Sequence, residues 1–146
     1  MTALKDIQAI RVNNGSGVVE YGTVRVRDAS GLKVVWADAG PLTVVVDNLS
    51  PTGARASDVD VTVPTAIVTL TIAGGVGPYS VTWSRVDSGS PAWAITSPDG
   101  PATRFNTAVA AGNTETAEFH AVVTDAAAAT VTSDTVYAAA SNFGGY

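Results

Sequence analysis

The stretch that decides the fold is Ala66-Ile67-Val68-Thr69-Leu70-Thr71-Ile72-Ala73-Gly74-Gly75-Val76-Gly77-Pro78-Tyr79-Ser80-Val81-Thr82-Trp83. Successive side chains of a strand point to opposite faces, so a period of two marks a half-buried strand. Val68, Leu70 and Ile72 fall on one face, Thr69 and Thr71 on the other. After the Gly74–Pro78 break the alternation restarts, with Tyr79, Val81 and Trp83 expected inward and Ser80, Thr82 and Ser84 outward. Two alternating runs joined by glycine and proline read as strand, turn, strand.

Outward from this pair the pattern recurs. Asp58–Val63, Ala92–Ile95, Thr103–Val109, Thr116–Thr124 and Thr130–Ala140 each read as strands, with Phe119, Ala121 and Val123 inward. Turn chemistry separates them at Ser88–Pro91, Ser97–Pro101 and Asp125–Ala129. The alanine runs 126–129 and 138–140 are too short for helices and are flanked by Thr and Val. Short strands at this spacing predict an all-β sandwich over residues 57–140. Its expected core is Trp83, Phe119, Val81, Leu70 and Val123. Residues 141–146 read as a flexible tail carrying Phe143 and Tyr146.

The N-terminal part reads differently. Ile10-Arg11-Val12-Asn13-Asn14-Gly15-Ser16-Gly17-Val18 aligns with Val24-Arg25-Val26-Arg27-Asp28-Ala29-Ser30-Gly31-Leu32 at a spacing of 14 residues. Each copy is a strand–turn–strand unit, because Asn, Asp and Gly accept the backbone of a tight turn. Hairpins of this size lack a private core. Residues 1–56 are therefore expected to be an attachment or oligomerisation module, with Arg11, Arg25, Arg27 and Lys33 contacting a partner or subunit. The strand Leu42–Val46 and the turn-rich run 47–55 fall within this module, whose boundary is placed at about residue 56.

Charge divides the chain at the same place. The chain carries 8 basic and 13 acidic groups, a net of −5. Residues 1–56 hold six basic and five acidic groups (+1); residues 57–146 hold two and eight (−6). A protein that lives on phosphate contacts is normally basic, so nucleic acid is an unexpected partner. There is no cysteine, which excludes disulfides and thiolate metal sites. Lys5 and Asp6 interrupt the opening residues, so no signal peptide is expected. No apolar run reaches the length of a membrane helix, so no membrane insertion is expected.

Gly74-Gly75-Val76-Gly77-Pro78-Tyr79-Ser80-Val81-Thr82-Trp83, followed by Phe119-His120-Ala121-Val122-Val123-Thr124-Asp125, resembles bacterial immunoglobulin-like and PKD-like repeats. The resemblance spans roughly residues 58–140. It implies that Trp83 is the buried tryptophan of the third strand and that Phe119 heads the sixth. The antibody cysteine pair is missing, so packing around Trp83 must hold the sheets. The run Val24–Trp36 is similar to strand motifs in tail and fibre-associated proteins of tailed bacteriophages. That likeness implies a minor virion protein, assembled in the host cytoplasm and needing no export signal. Other virion proteins, symmetric copies of the chain and a cell-surface glycan or protein are the implied partners.

His120, the one histidine, has no Gly-x-Ser-x-Gly elbow beside it, and no enzyme is expected. Asp58 and Asp60 stand two apart and would share a strand face, a candidate Ca²⁺ site helped by Asp47, Asn48, Asp87 or Asp99. Neither Gly15-Ser16-Gly17 nor Gly74-Gly75-Val76-Gly77 precedes the Lys and helix that a phosphate loop needs. Trp36, Trp93 and Tyr137 are candidates for a carbohydrate-stacking surface, with core use expected for at least two of them. No cofactor is expected. The expected function is a non-enzymatic virion component of tail, baseplate or fibre; the alternatives are a capsid decoration protein and a free adhesion or carbohydrate-binding module.

Overall fold

A computed structural model describes residues 11–13, 18–20, 23–28, 31–37, 40–89 and 91–145. The side chains of Arg11, Arg25, Arg27, Lys33 and Trp36, and the whole of Tyr146, lie outside the described set. The chain divides into two compact units, Met1–Gly40 and Pro41–Tyr146. No helix occurs among the described residues.

The first unit contains two antiparallel pairs. Strand β1 (Arg11–Asn13) pairs with β2 (Val18–Glu20), and β3 (Thr23–Asp28) pairs with β4 (Gly31–Ala37). The second pair carries a register shift between Val24 and Arg25.

The second unit begins at Pro41 rather than near residue 56. Strand β5 (Thr43–Val46) pairs with β8 (Val68–Ala73), and β6 (Thr52–Arg55) runs parallel to β15 (Val136–Asn142). Thr52-Gly53-Ala54-Arg55 has no apolar alternation because it is an edge strand crossing close to another segment. A Cβ on Gly53 would come within 2.0 Å of the Pro64 carbonyl oxygen.

The remaining strands are β7 (Val61–Pro64), β9 (Ser80–Arg85), β10 (Trp93–Ile95), β11 (Ala102–Thr103), β12 (Phe105–Val109), β13 (Thr114–Thr124) and β14 (Thr130–Thr132). One layer runs β5, then β8 continued by β7, then β11 continued by β12, then β10. The other runs β9, β13, then β14 continued by β15, then β6. The two layers pack together as a β-sandwich.

Each layer contains the same irregularity. Between Thr103↔Val68 and Asn106↔Pro64 one strand advances three residues while its partner moves four. Between Phe119↔Val136 and Val122↔Thr132 the same mismatch recurs. These are one-residue bulges, which leave a backbone group without its ladder partner. A hydroxyl replaces it in both cases. Thr65 Oγ1 accepts from the Phe105 amide at 3.2 Å and donates to the Ala66 carbonyl at 2.9 Å. Ser133 Oγ accepts from the Ala121 amide at 3.0 Å and donates to the Asp134 carbonyl at 2.9 Å.

The core lies between the layers. Leu70, Val81, Trp83, Phe119 and Val123 are all buried there, as the alternation predicted. Phe105 and Phe119 stack with ring centroids 3.8 Å apart, joining one sheet to the other. Trp83 meets Phe105 edge-on, and Trp93 meets Phe119 edge-on. Trp83 Nε1 donates to the Gly100 carbonyl at 3.0 Å, giving its polar handle a partner. Tyr79 departs from the expected inward set. It precedes β9 and is 40% exposed, and its hydroxyl donates to the Gly74 carbonyl at 2.6 Å.

Residues 141 and 142 are not a loose tail: β15 continues through Asn142, which is fully buried. Its Oδ1 accepts from the amides of Ser57 (2.9 Å) and Gly144 (3.3 Å). Its Nδ2 donates to the carbonyls of Val59 (3.0 Å) and Val109 (3.2 Å). All four positions of the side-chain amide are used. The Phe143 amide then donates to Arg55, and the Gly145 amide to Asp58 Oδ1. The tail reading failed because a run of Ser, Asn and Gly carries no apolar signal, whereas the force here is a buried amide.

Candidate functional site

The outward face of the β9–β13–β15 layer collects the side chains most able to meet a partner. Inward residues of β13 are Ala117, Phe119, Ala121 and Val123, so Thr116, Glu118 and His120 point outward. Register sets their neighbours: Glu118 opposes Tyr137, Thr116 opposes Ala139, and His120 opposes Ser84. Directly opposed side chains sit roughly 4.5–5.5 Å apart at Cβ and interact.

The large pair Glu118/Tyr137 stands beside the small pair Thr116/Ala139. The step in height leaves a shallow groove of about 440 Å³, lined also by Asp87, Ala117 and Ala138. Tyr137 is 56% exposed at its edge. Beyond it Thr114 and Ser141 share a hydroxyl hydrogen bond of 2.8 Å. A second hollow, about 210 Å³, lies on the other layer between Ile67, Thr96, Ser97, Ala102, Thr103 and Arg104.

At the rim of the groove, Asp87 is fully engaged. Its Oδ1 accepts from Arg85 Nε and from the Glu118 amide, both at 3.0 Å. Its Oδ2 accepts from Arg85 Nη2 and from the Gly89 amide. The hydrogen bond from Arg85 leads in holding the Asp87 carboxyl well below the usual carboxylate range, with the Glu118 amide next. Arg85 Nη1 also donates to the Pro91 carbonyl. This cluster pins the loop after β9 against β13.

Ser84 Oγ lies 3.0 Å from His120 Nε2. A nucleophile and a base at this distance form part of a catalytic constellation; a third group must orient the ring and donors must await an oxyanion. No carboxylate is hydrogen-bonded to the ring among the described residues. The pair is a cross-strand contact on an open sheet.

Asp58 and Asp60 do not share a strand face. Both precede β7 and are exposed; Asp58 lies in a bend and is occupied by the Gly145 amide. No group of three or more potential metal ligands occurs among the described residues. The strand reading of Asp58–Val63 began too early because a serine–aspartate turn precedes Val61. Trp93 packs against the core, the use expected for at least two of the three aromatics, while Tyr137 stays on the surface. Phe143 is 68% exposed at the end of β15. Sequence reading named Tyr137 but missed Glu118, whose link to Tyr137 is a matter of register across two strands. No helix among the described residues is long and apolar enough to cross a membrane. A scan against models of protein families finds no match to this chain, and a comparison with curated proteins finds no relative.

Proposed function

We propose that this chain is a non-enzymatic binding and structural protein of a tailed-bacteriophage particle, associated with tail, baseplate or fibre. Its second unit is read as an immunoglobulin-like domain presented for contact with neighbouring subunits or a host surface. Strand order is the observation that carries this reading. Numbered by role, β5, β8/β7, β12 and β10 follow the order A-B-E-D, and β9, β13 and β14/β15 follow C-F-G. That order matches the seven-stranded constant-type sandwich, with β6 an added strand beside β15. Trp83 on the C-like strand, packed against Phe105, supports it further. The likeness of Val24–Trp36 to phage tail proteins supports the setting, and the paired strands of the first unit suit an attachment module.

Mass spectrometry of gradient-purified particles from the producing culture tests this. The chain should appear in fixed ratio to the major tail protein and be retained in headless preparations. Retention with heads instead would make it a capsid decoration protein. Recovery solely from the particle-free fraction would overturn the virion reading. The exposed Tyr137 beside its groove favours a second reading, a free carbohydrate-binding module, which glycan-array binding by the pure chain would support.

A further inference from the structure

We propose that the notch between Tyr137 and Glu118 receives an arginine side chain of a partner protein. The inference rests on reading the second unit as a binding module and names the chemistry of what it binds. Three observations carry it.

The first is an unanswered carboxylate. Glu118 lines the groove, and no hydrogen bond to its carboxylate forms among the described residues. The nearby cation cannot serve it: Arg85 is committed to Asp87 and to the Pro91 carbonyl. Asp87 is itself saturated by four donors. The rim therefore keeps one carboxylate free to accept.

Register supplies the second. Tyr137 opposes Glu118 directly, and the Thr116/Ala139 pair beside them is small. A planar cation seated over Thr116 and Ala139 can touch the Tyr137 ring and the Glu118 oxygens at once. An aromatic face attracts a cation, arginine above lysine, and a carboxylate takes a guanidinium through two parallel hydrogen bonds.

The third is the balance of donors and acceptors. Of the lining's two carboxylates that of Glu118 alone has acceptor sites to spare, and the side-chain donors are the hydroxyls of Thr116 and Tyr137. A saccharide needs donors and acceptors in similar number. A guanidinium has five N–H donors and no acceptor, which fits a carboxylate left with open acceptor sites beside hydroxyls that also accept. Charge agrees: residues 41–146 carry three basic and nine acidic groups, a net of −6.

The test uses the whole chain, ¹⁵N-labelled, titrated with a capped Ser-Arg-Gly-Arg-Ser peptide, its lysine counterpart, and a hexamer of N-acetylglucosamine. The arginine peptide should shift the amides of Glu118, Tyr137 and Ala139 and bind at least about fivefold more tightly than the lysine peptide. Glu118→Gln should weaken it about tenfold and Tyr137→Ser severalfold. Asp60→Asn, an exposed carboxylate elsewhere, should change nothing beyond general screening. Equal binding of both peptides, with Glu118→Gln no worse than Asp60→Asn, would overturn the proposal, as would shifts from the saccharide without shifts from arginine, or no response at all. Particle association is measured separately, so loss of this inference leaves the virion reading standing.

Discussion

Replacing Asn142 with alanine is the sharpest test of how the sandwich closes. The substitution removes two acceptors and two donors at a position with no solvent exposure. Gly144 and Val59 are near the surface, so water can answer those groups. The Val109 carbonyl keeps Val61 as its ladder partner and loses a second donor, a bond worth roughly 1 kcal/mol. The Ser57 amide loses a bond also worth roughly 1 kcal/mol. Together these give about 2 kcal/mol. For a cooperative unit of roughly 100 residues, an unfolding entropy of about 2.1 cal/mol/K per residue converts this into a fall in Tm of about 10 °C. Differential scanning calorimetry and urea unfolding of the full chain would measure it. Phe143→Ala, next in sequence but exposed, should move Tm by no more than about 2 °C. Asn142→Asp keeps the acceptors but sets an anion against two carbonyls. It should be less stable than Asn142→Ala at pH 7 and recover as the pH falls, because the protonated acid again supplies a donor. An Asn142→Ala protein melting within about 3 °C of the parent would refute the reasoning.

Other outcomes follow from the bulges, the core and the loops. Ser133→Ala and Thr65→Val each strip a buried amide of its hydroxyl acceptor and should cost about 1–3 kcal/mol by urea unfolding. Trp93 Nε1 is buried with no partner among the described residues, so Trp93→Phe should cost far less than the roughly 3–5 kcal/mol of Trp83→Ala. The Asp125 carboxyl is held low, chiefly by the Val76 amide, then by those of Ala129 and Ala127. A depressed carboxyl contributes stability above its unfolded pKa, about 3.9, and loses it as pH falls through the lower folded value. Thermal melts from pH 7 to pH 2 should therefore drop below about pH 4, and Asp125→Asn should be less stable at pH 7 with a flatter acid limb. Gly53→Ala drives a Cβ into the Pro64 carbonyl and should abolish cooperative melting or separate β6 from β7.

Much of the sandwich was legible because its inward residues alternate. Val68 and Leu70, Val81 and Trp83, and Phe119, Ala121 and Val123 obey a period of two and are buried. The alternation misleads at the bulges. Inward residues on the β7–β8 strand are odd-numbered at Val61 and Val63, then even-numbered at Val68 and Leu70. On β14–β15 they pass from Val131 to Val136 and Ala138 in the same way. A single inserted residue flips every later side chain, and nothing in Thr65 or Ser133 announces that its hydroxyl will carry the slip. The module boundary was misread because charge and turn content change near residue 56, whereas partnership changes at Pro41. Charge reports on neighbours and solubility, not on which strands pair. The groove was half visible: Tyr137 stood out as an aromatic among alanines, but Glu118 acquires meaning when register sets it opposite.

The placing of β15 governs when the protein can mature on the ribosome. Strand β15 lies between β13 and β6, so β6 gains its ladder when residues 136–142 have emerged. Chains elongate at about 5–20 residues per second and domains fold as units. Through that interval β13 presents one bare edge and β6 waits without its parallel neighbour. A sandwich without β15 lacks both these ladders and the bonds by which Asn142 bolts residues 57, 59 and 109 together.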